Sequence, residues 1–177
     1  LRQSMAAIRP EFVAMQINSQ RFGVVELEDD AVLSFPSGII GFPREQAFAL
    51  IPHQGSNYLA WLQSLQNPAL AFPVVSAHFY GDAYPDVPVV EAARGAGVPG
   101  AAEDLAVLVV LCAPIGQPAT VNLMAPIVVN SETRTGAQVI LEGSRFSTRE
   151  VFVAPKAAQA PVDIAPSPEP LVVQAAG

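Results

Sequence analysis

The side chains that could do chemistry in this sequence are few and scattered. The chain has two histidines, His53 and His78, and one cysteine, Cys112. Metal sites in proteins use several His, Cys or carboxylate ligands at short spacing, and neither histidine has such neighbours in sequence. His53 lies in a Pro-His-Gln-Gly stretch typical of an exposed turn, and His78 is placed at a strand end. Both are therefore interpreted as ordinary histidines, and we predict no metal and no cofactor.

Cys112 lies inside the continuously apolar run 105–113, which favours a strand buried on both faces. We therefore predict a buried, unreactive thiol. A single cysteine excludes an intramolecular disulfide, which fits a reducing compartment. The sequence also has no G-x-S-x-G elbow, phosphate loop or dinucleotide fingerprint. An enzyme such as a hydrolase is consequently a weak alternative, and we predict no catalytic residue.

The chain has two acidic groups, of which only the first suggests a cation site. The residues Glu26, Glu28, Asp29 and Asp30 lack the ligand alternation and the glycine of a calcium loop. They are interpreted as a solvated turn after a strand. The Glu103-Asp104 pair precedes the apolar run, where it is expected to cap a turn or protect a sheet edge.

The charge balance argues against nucleic acids as direct ligands. The formal net charge is −7, and the nine Lys and Arg residues are scattered without a basic run. Charged residues make up only 14% of the chain, which predicts uncharged surface patches of the kind that often mark partner sites. The longest strongly apolar run is far shorter than the ~20 residues of a membrane helix. With no signal-peptide pattern at the N-terminus, we predict a soluble, cytoplasmic protein without membrane contact.

The pattern between the two ends is one of short strands and turns. Strands are predicted over residues 12–17, 22–27, 31–35, 48–51, 58–65, 70–76, 105–113, 120–130 and 137–141. Residues 18–21 and 131–136 are expected to be hairpin turns. Residues 43–46 could form one helical turn, and 83–102 could hold a short helix among loops. Pro73 predicts an edge position or a bulge for its strand.

Many short strands without alternating βα units indicate an all-β protein. We predict one small antiparallel β-barrel or sandwich-like domain with one or two short helices. The expected organisation is a flexible leader over 1–10, a β domain over 11–153 and a disordered Pro/Ala-rich tail over 154–177. Removing that tail is expected to leave the stability of the domain almost unchanged.

Four segments carry a more specific pattern. The first is Phe35-Pro36-Ser37-Gly38-Ile39-Ile40-Gly41-Phe42, in which two glycines framed by phenylalanines indicate a tight loop with positive φ angles and two apolar anchors. The second is Trp61-Leu62-Gln63-Ser64, followed by Asn67-Pro68 and Leu70-Ala71-Phe72. The third is Thr120-Val121-Asn122-Leu123-Met124-Ala125-Pro126-Ile127-Val128-Val129-Asn130, and the fourth is Gln138-Val139-Ile140-Leu141 with Phe146-Ser147-Thr148-Arg149.

In this order and spacing the four segments resemble the FliW family of flagellar assembly factors. The resemblance runs from about residue 13 to 149 and rests most on Phe35, Pro36, Gly38, Gly41, Phe42, Asn122, Leu123, Ala125, Pro126, Asn130, Ser147 and Arg149. The stretch 79–102 and the Pro-rich tail depart from the family pattern. The resemblance implies a non-catalytic, chaperone-like factor that binds flagellin in the cytoplasm. It also implies binding to the translational regulator CsrA, which relieves repression of flagellin mRNA translation.

The contact surface is a separate prediction. Trp61, Gln63, Ser64, Gln66 and Asn67 are expected to form a partner-contact rim at a strand end, although core burial of Trp61 is equally plausible. The motif residues around the two glycines and the two asparagines are more often scaffold than contact. A small β-barrel that binds a small ligand or a carbohydrate is the alternative. It needs an aromatic pocket, and aromatic residues are only 7% of this chain.

Overall fold

A computed structural model of the chain describes residues 14–84 and 86–154. The predicted leader over 1–10 and the predicted tail, apart from Ala154, lie outside these residues. Within them the secondary structure consists of eleven strands and one α-helix, with short 3-10 turns at Asp29–Ala31, Ala77–Ala83 and Ala102–Asp104. The strands are β1 Ala14–Ser19, β2 Gly23–Glu28, β3 Val32–Ser34, β4 Ala47–Pro52, β5 Leu59–Ser64, β6 Ala71–Ser76, β7 Leu105–Cys112, β8 Thr120–Val121, β9 Ile127–Asn130, β10 Thr135–Gln138 and β11 Glu150–Val151, and the helix is α1 Asp86–Gly95.

Seven strands close into a barrel in the order β3-β4-β5-β6-β7-β9-β10. The neighbouring strands are antiparallel, except for the seam where β10 runs parallel to β3 through Thr135 and Ser34. The short strands β8 and β11 extend the sheet beside the end of β7. The all-β barrel expected from the sequence is thus confirmed, with one parallel pair where antiparallel pairing was predicted.

The interior of the barrel is filled by alternate residues of its strands. Phe48 of β4, Val74 of β6 and Leu108 of β7 point inward, while their neighbours Ala49 and Val75 pack on outer layers. This is the period-two alternation of a pleated strand. The most buried inward side chains are Leu33, Phe35, Phe48, Leu62, Val74, Leu108, Ile127 and Val129. Side chains of this size fill the interior of a small barrel.

Two layers cover the outside of the barrel. The β1–β2 hairpin packs Ile17, Val25 and Leu27 against Ala49 and Ile51 of β4. On another side, α1 buries Val89 and Ala93, which are four residues apart and share one helix face. The predicted hairpin at 18–21 and the predicted helix within 83–102 are both confirmed.

Four local predictions are wrong, each for a tertiary reason. Residues 43–46 form a turn that returns the chain to β4, with no helix. Strand β6 is paired with β5 on one side and with β7 on the other, so it is not an edge strand. Pro73 is tolerated because the ladder to β7 begins only at Val74. The strand predicted over 120–130 is interrupted after Val121 and resumes at Ile127. Cys112 is exposed, because it is the last residue of β7 and lies beside a surface groove.

Candidate partner-binding site

A tight turn presents apolar side chains on the surface. Ile39 and Phe42 exchange backbone hydrogen bonds of 3.3 and 2.6 Å across Ile40 and Gly41. Gly41 has φ +86° at the third position of the turn, where type II geometry favours glycine. Ile40 at the tip is 53% exposed and Phe42 is 39% exposed. Large apolar side chains at a turn tip are unfavourable in water, so this exposed turn (residues 39–42) is a candidate contact element.

The first half of the same motif is scaffold. Phe35 is fully buried and packs edge-to-face on Phe48, with 5.2 Å between ring centroids. Gly38 has φ +67°, and a Cβ there would overlap the carbonyl oxygen of Phe42. Pro36 accepts a hydrogen bond of 2.7 Å from Gln46 Nε2 through its carbonyl oxygen. These contacts set the direction in which the exposed turn leaves the barrel.

The exposed turn forms one wall of a groove of about 250 Å³, here called the motif groove. Its lining residues are Ile39, Ile40, Phe72, Val110, Cys112, Thr120, Asn122, Gln138 and Thr148. All four sequence segments contribute to it, although they lie up to about a hundred residues apart along the chain. None of the lining residues is charged. The arrangement combines an apolar floor with amide and hydroxyl groups at its rim, which suits a neutral ligand.

Hydrogen bonds hold the far wall of the groove. Gln138 accepts a 3.1 Å bond from Ile40 N and donates a 3.0 Å bond to the carbonyl of Ala125, so that its side chain joins the exposed turn to the chain before β9. Asn122 Oδ1 accepts from Ala125 N at 2.9 Å. Tyr84 donates its hydroxyl proton to the carbonyl of Leu123 at 2.9 Å, and burial raises the pKa of that hydroxyl.

The other residues of the third and fourth segments also make internal contacts. Asn130 is buried, accepts from Glu132 N and Thr133 N, and donates to the carbonyl of Pro99 at 2.8 Å. The carbonyl of Pro126 accepts from Val139 N, and that of Ser147 accepts from the backbone of the Leu123 segment. Leu123 and Ala125 are buried, and Arg149 is an exposed turn residue. These positions support the groove without lining it.

The predicted contact rim on β5 is partly wrong. Gln63 is fully buried, and its Nε2 donates to the carbonyls of Ser64 and Leu70 while its Oε1 accepts a 2.7 Å bond from Ser19. Ser64 is also buried and donates to Glu45. Polar side chains are needed here because the turn after β5 buries carbonyl groups that must be hydrogen-bonded. Gln63 and Ser64 therefore stabilise the turn and present no surface to a partner.

The remaining rim residues are at or near the surface. Gln66 is exposed, and its Oε1 accepts from Gln46 N at 2.6 Å. Asn67 Oδ1 accepts from Ala69 N at 3.1 Å. Trp61 is half-buried and fastens the hairpin to the barrel. Partner contact through Trp61, Gln66 and Asn67 stays a prediction.

The contacts of Trp61 explain its position. The guanidinium of Arg21 lies 3.9 Å from the centre of its ring, close enough for a cation–π contact. The indole Nε1 donates to His53 Nδ1 at 3.1 Å, which gives His53 a structural role. The aromatic side chain thus serves mainly to attach the β1–β2 hairpin.

The structure has a second cavity beside α1. A cleft of about 560 Å³, here called the helix cleft, lies between α1 and the segment 140–146. Its lining includes Pro88, Ala92, Ile140 and Phe146, with Glu91, Glu142 and Arg145 among the charged groups. Ile140 is 51% exposed. It lies two residues beyond Gln138 in the chain, but the two cavities share no lining residue.

Sequence reasoning missed most of the lining of the motif groove. Only Asn122 overlaps the predicted set, and the other lining residues were not predicted as site residues, namely Ile39, Ile40, Phe72, Val110, Cys112, Thr120, Gln138 and Thr148. One signal was available in the sequence. Ile40 is a large apolar residue directly before the turn residue Gly41, and nothing in the local structure requires an apolar side chain there. Among residues 14–84 and 86–154, no group of three or more His, Cys, Asp or Glu side chains is placed to hold a metal ion. No helix in the same residues has the length and apolarity required to cross a membrane.

Comparison with known proteins addresses the family directly. The model of a family described as "FliW protein" matches residues 16–152. A flagellar assembly factor FliW of Heliobacterium modesticaldum is 36% identical over 136 residues, which is 76% of this chain and 88% of that protein. One from Geotalea uraniireducens is 34% identical over 138 residues, covering 78% of this chain and 84% of that protein.

A solved structure agrees with the sequence matches. The crystal structure of a flagellar assembly factor FliW superposes with a TM-score of 0.67 at 29% identity, and the match covers 81% of this chain and 100% of that one. The family match spans the whole barrel together with the motif groove. The chain therefore belongs to the FliW family of flagellar assembly factors.

Proposed function

We propose that this protein is a non-catalytic cytoplasmic factor that binds flagellin as a chaperone-like partner. In the same proposal it also binds the translational regulator CsrA and thereby relieves repression of flagellin mRNA translation. Family membership supports the role in flagellar assembly. The observation that carries the binding role is the convergence of all four characteristic segments on one uncharged surface groove beside an exposed apolar turn.

The physics of flagellin binding fits a groove of this kind. Flagellin termini are amphipathic and are expected to be disordered before assembly, so they expose apolar side chains that need shielding. A segment that orders on binding loses conformational entropy, which keeps the affinity moderate and allows release for export. Ile40 and Phe42 offer apolar area that is already exposed before binding and that a partner would cover.

The charge of the protein fits a basic second partner. CsrA must be basic where it holds RNA, and this chain carries a formal charge of −7. Opposite net charges speed encounter and make the association rate sensitive to salt. We further propose that flagellin and CsrA compete for the protein, which requires either overlapping surfaces or a coupling free energy of about 1–3 kcal/mol between separate ones. The same acidic balance supports the absence of direct nucleic-acid binding in the proposed function.

A three-component binding experiment tests the proposal. Purified full-length protein is titrated with purified flagellin and separately with CsrA, and then a preformed complex with CsrA is challenged with flagellin. We expect both binary complexes, loss of CsrA on addition of flagellin, and a CsrA association rate that falls as salt is raised. Restored translation of a CsrA-repressed reporter on adding the protein, reversed by flagellin, is the functional readout. Absence of binding to both proteins would contradict the proposal.

A further inference from the structure

We propose that the motif groove takes an extended, uncharged polypeptide segment, which inserts one aliphatic side chain between Ile40 and Phe72. The backbone of that segment bonds to polar groups at the rim of the groove. This inference rests on the proposed function, because the segment is assigned to flagellin. Its basis is the chemistry of the groove lining, its unused hydrogen-bonding groups and its volume.

The absence of charge in the lining selects the kind of side chain that can enter. The apolar part of the lining consists of Ile39, Ile40, Phe72 and Val110, and the lining has no ionisable group except the thiol of Cys112. A carboxylate or ammonium group placed there would lose water and gain no opposite charge, which is strongly unfavourable. A phosphate, an acidic peptide side chain or a lysine is therefore excluded as the inserted group, and an aliphatic side chain is favoured.

Polar atoms at the rim of the motif groove that make no hydrogen bond within the described residues indicate which backbone conformation the bound segment has. Asn122 uses only its Oδ1 internally, so that its Nδ2 donates to no atom in the described part of the chain. The hydroxyl groups of Thr120 and Thr148 likewise have no partner among those residues. An extended segment exposes carbonyl and N–H groups that match these atoms, whereas a helix has already paired its own. Docking a helix would desolvate the rim groups and leave them unpaired, which is unfavourable.

The size of the groove limits how much of the partner enters. A cavity of about 150 Å³ is large enough for benzene, so 250 Å³ accommodates one large aliphatic side chain with adjoining peptide atoms. It lies below the range of about 300–1,000 Å³ that is typical of small-molecule sites. The groove therefore suits a single anchor in a longer contact, and the exposed faces of Ile40 and Phe42 extend that contact beyond it.

The experiment measures binding of purified flagellin to full-length variants. Ile40→Glu places a charge on the groove wall at a side chain that is already 53% exposed, and we expect about thirtyfold weaker binding with an unchanged melting temperature. Ile140→Glu is the matched control, because Ile140 is 51% exposed but lines the helix cleft. Ile115→Glu is a second control at a fully exposed loop position. Both controls are expected to bind within about twofold of the parent protein.

Two further measurements test the chemistry of the rim and the location of the segment. Thr148→Val removes a hydroxyl at nearly constant volume and is expected to weaken binding several-fold, whereas Thr148→Ser keeps the hydroxyl and retains affinity. Cys112 is the only cysteine of the chain and its side chain is exposed in the groove, so its alkylation by iodoacetamide reports directly on occupancy. Bound flagellin is expected to slow that alkylation at least tenfold.

The outcomes separate the two proposals. Wild-type protein that fails to bind flagellin overturns the proposed function and the occupant assigned here. Wild-type binding that persists in Ile40→Glu with unprotected Cys112 overturns the groove assignment and leaves the proposed function intact. Loss of binding in Ile140→Glu, with binding by Ile40→Glu unaffected, assigns the contact to the helix cleft and also overturns the groove assignment.

Discussion

Two turns of this barrel make opposite use of their residue types. The turn after β5 is polar in sequence, yet Gln63 and Ser64 are buried and form hydrogen bonds within the protein. The exposed turn is apolar in sequence, yet Ile40 and Phe42 face solvent. A polar residue is internal when it satisfies buried carbonyls, and an apolar residue is a contact candidate when the fold leaves it uncovered. Side-chain polarity is therefore a poor guide to the partner surface here.

The two glycines of the exposed-turn motif test which half of it is scaffold. Gly38→Ala should destabilise the protein by about 4 kcal/mol, because its positive φ and the overlap with the Phe42 carbonyl act together. Gly41→Ala should cost only about 1 kcal/mol, since Gly41 has positive φ but no atom within 4 Å of an added Cβ. Urea unfolding of both variants measures the difference. Equal losses would contradict the division of the motif into a supporting half and an exposed half.

The buried polar turn can be tested by removing its central amide. Gln63→Leu is expected to lower the free energy of unfolding by about 3 kcal/mol, because the hydrogen bonds that Gln63 donates to the carbonyls of Ser64 and Leu70 and accepts from the hydroxyl of Ser19 are lost. Gln117→Leu, at an exposed loop position, is the matched control and should change stability by about 0.5 kcal/mol or less. Chemical denaturation gives both values. If Gln63→Leu left the free energy of unfolding unchanged but abolished flagellin binding, the predicted contact rim on β5 would again be a candidate contact surface.

The stability of the protein should depend on pH through Tyr84, whose hydroxyl bonds to the chain opposite the exposed turn. Burial raises the pKa of Tyr84, so the folded state keeps its proton at a pH where an unfolded tyrosine ionises, near pH 10. Stability is therefore complete below about pH 10 and falls above it, by up to about 1.4 kcal/mol per pH unit from this residue. Tyr84→Phe should lose about 1 kcal/mol at neutral pH and show a shallower decline in alkali. Unfolding measured at about pH 8 and about pH 11 compares the two proteins. Identical alkaline slopes would show that this wall opens to solvent.

The smallest effect on stability is expected at the tip itself. Ile40→Ala should change the free energy of unfolding by about 0.5 kcal/mol or less, since half of the side chain already faces water. Phe72→Ala, beneath the same turn, should cost about 3 kcal/mol because Phe72 packs edge-to-face on Phe42 and near Phe48. Thermal unfolding of the pair is the measurement. A large loss for Ile40→Ala would place Ile40 in the core and weaken its case as a contact residue.

Local sequence signals predicted local structure well. Alternation predicted β5, and the polar links predicted the β1–β2 and β9–β10 hairpins, because hairpin strands pair with near neighbours in the chain. The expectation of strand character for the apolar run was also correct for β7. Pro73 was misjudged because its place in the sheet depends on β7, a strand from a distant segment whose ladder with β6 begins only at Val74. Cys112 was misjudged because it is the last residue of β7 and lies beside a groove assembled from distant segments.

The groove could not be predicted, since its lining is assembled across the barrel. Ile40 and Gln138 are joined by a hydrogen bond of 3.1 Å although ninety-eight residues separate them in sequence. Periodicity within a window of several residues carries no information about such a pair. The motif run did contain Ile40, but its exposure follows from the way Gly38 and Phe42 direct the turn.

The sequence by itself determined the strand-rich class, the barrel expectation and the resemblance to its family, because these follow from residue alternation and ordered short motifs. The tertiary structure decided which of those motif residues are buried and which remain at the surface. Burial depends on barrel closure through β10 and β3 and on the layers packed outside it, and these contacts join segments that are far apart in the chain.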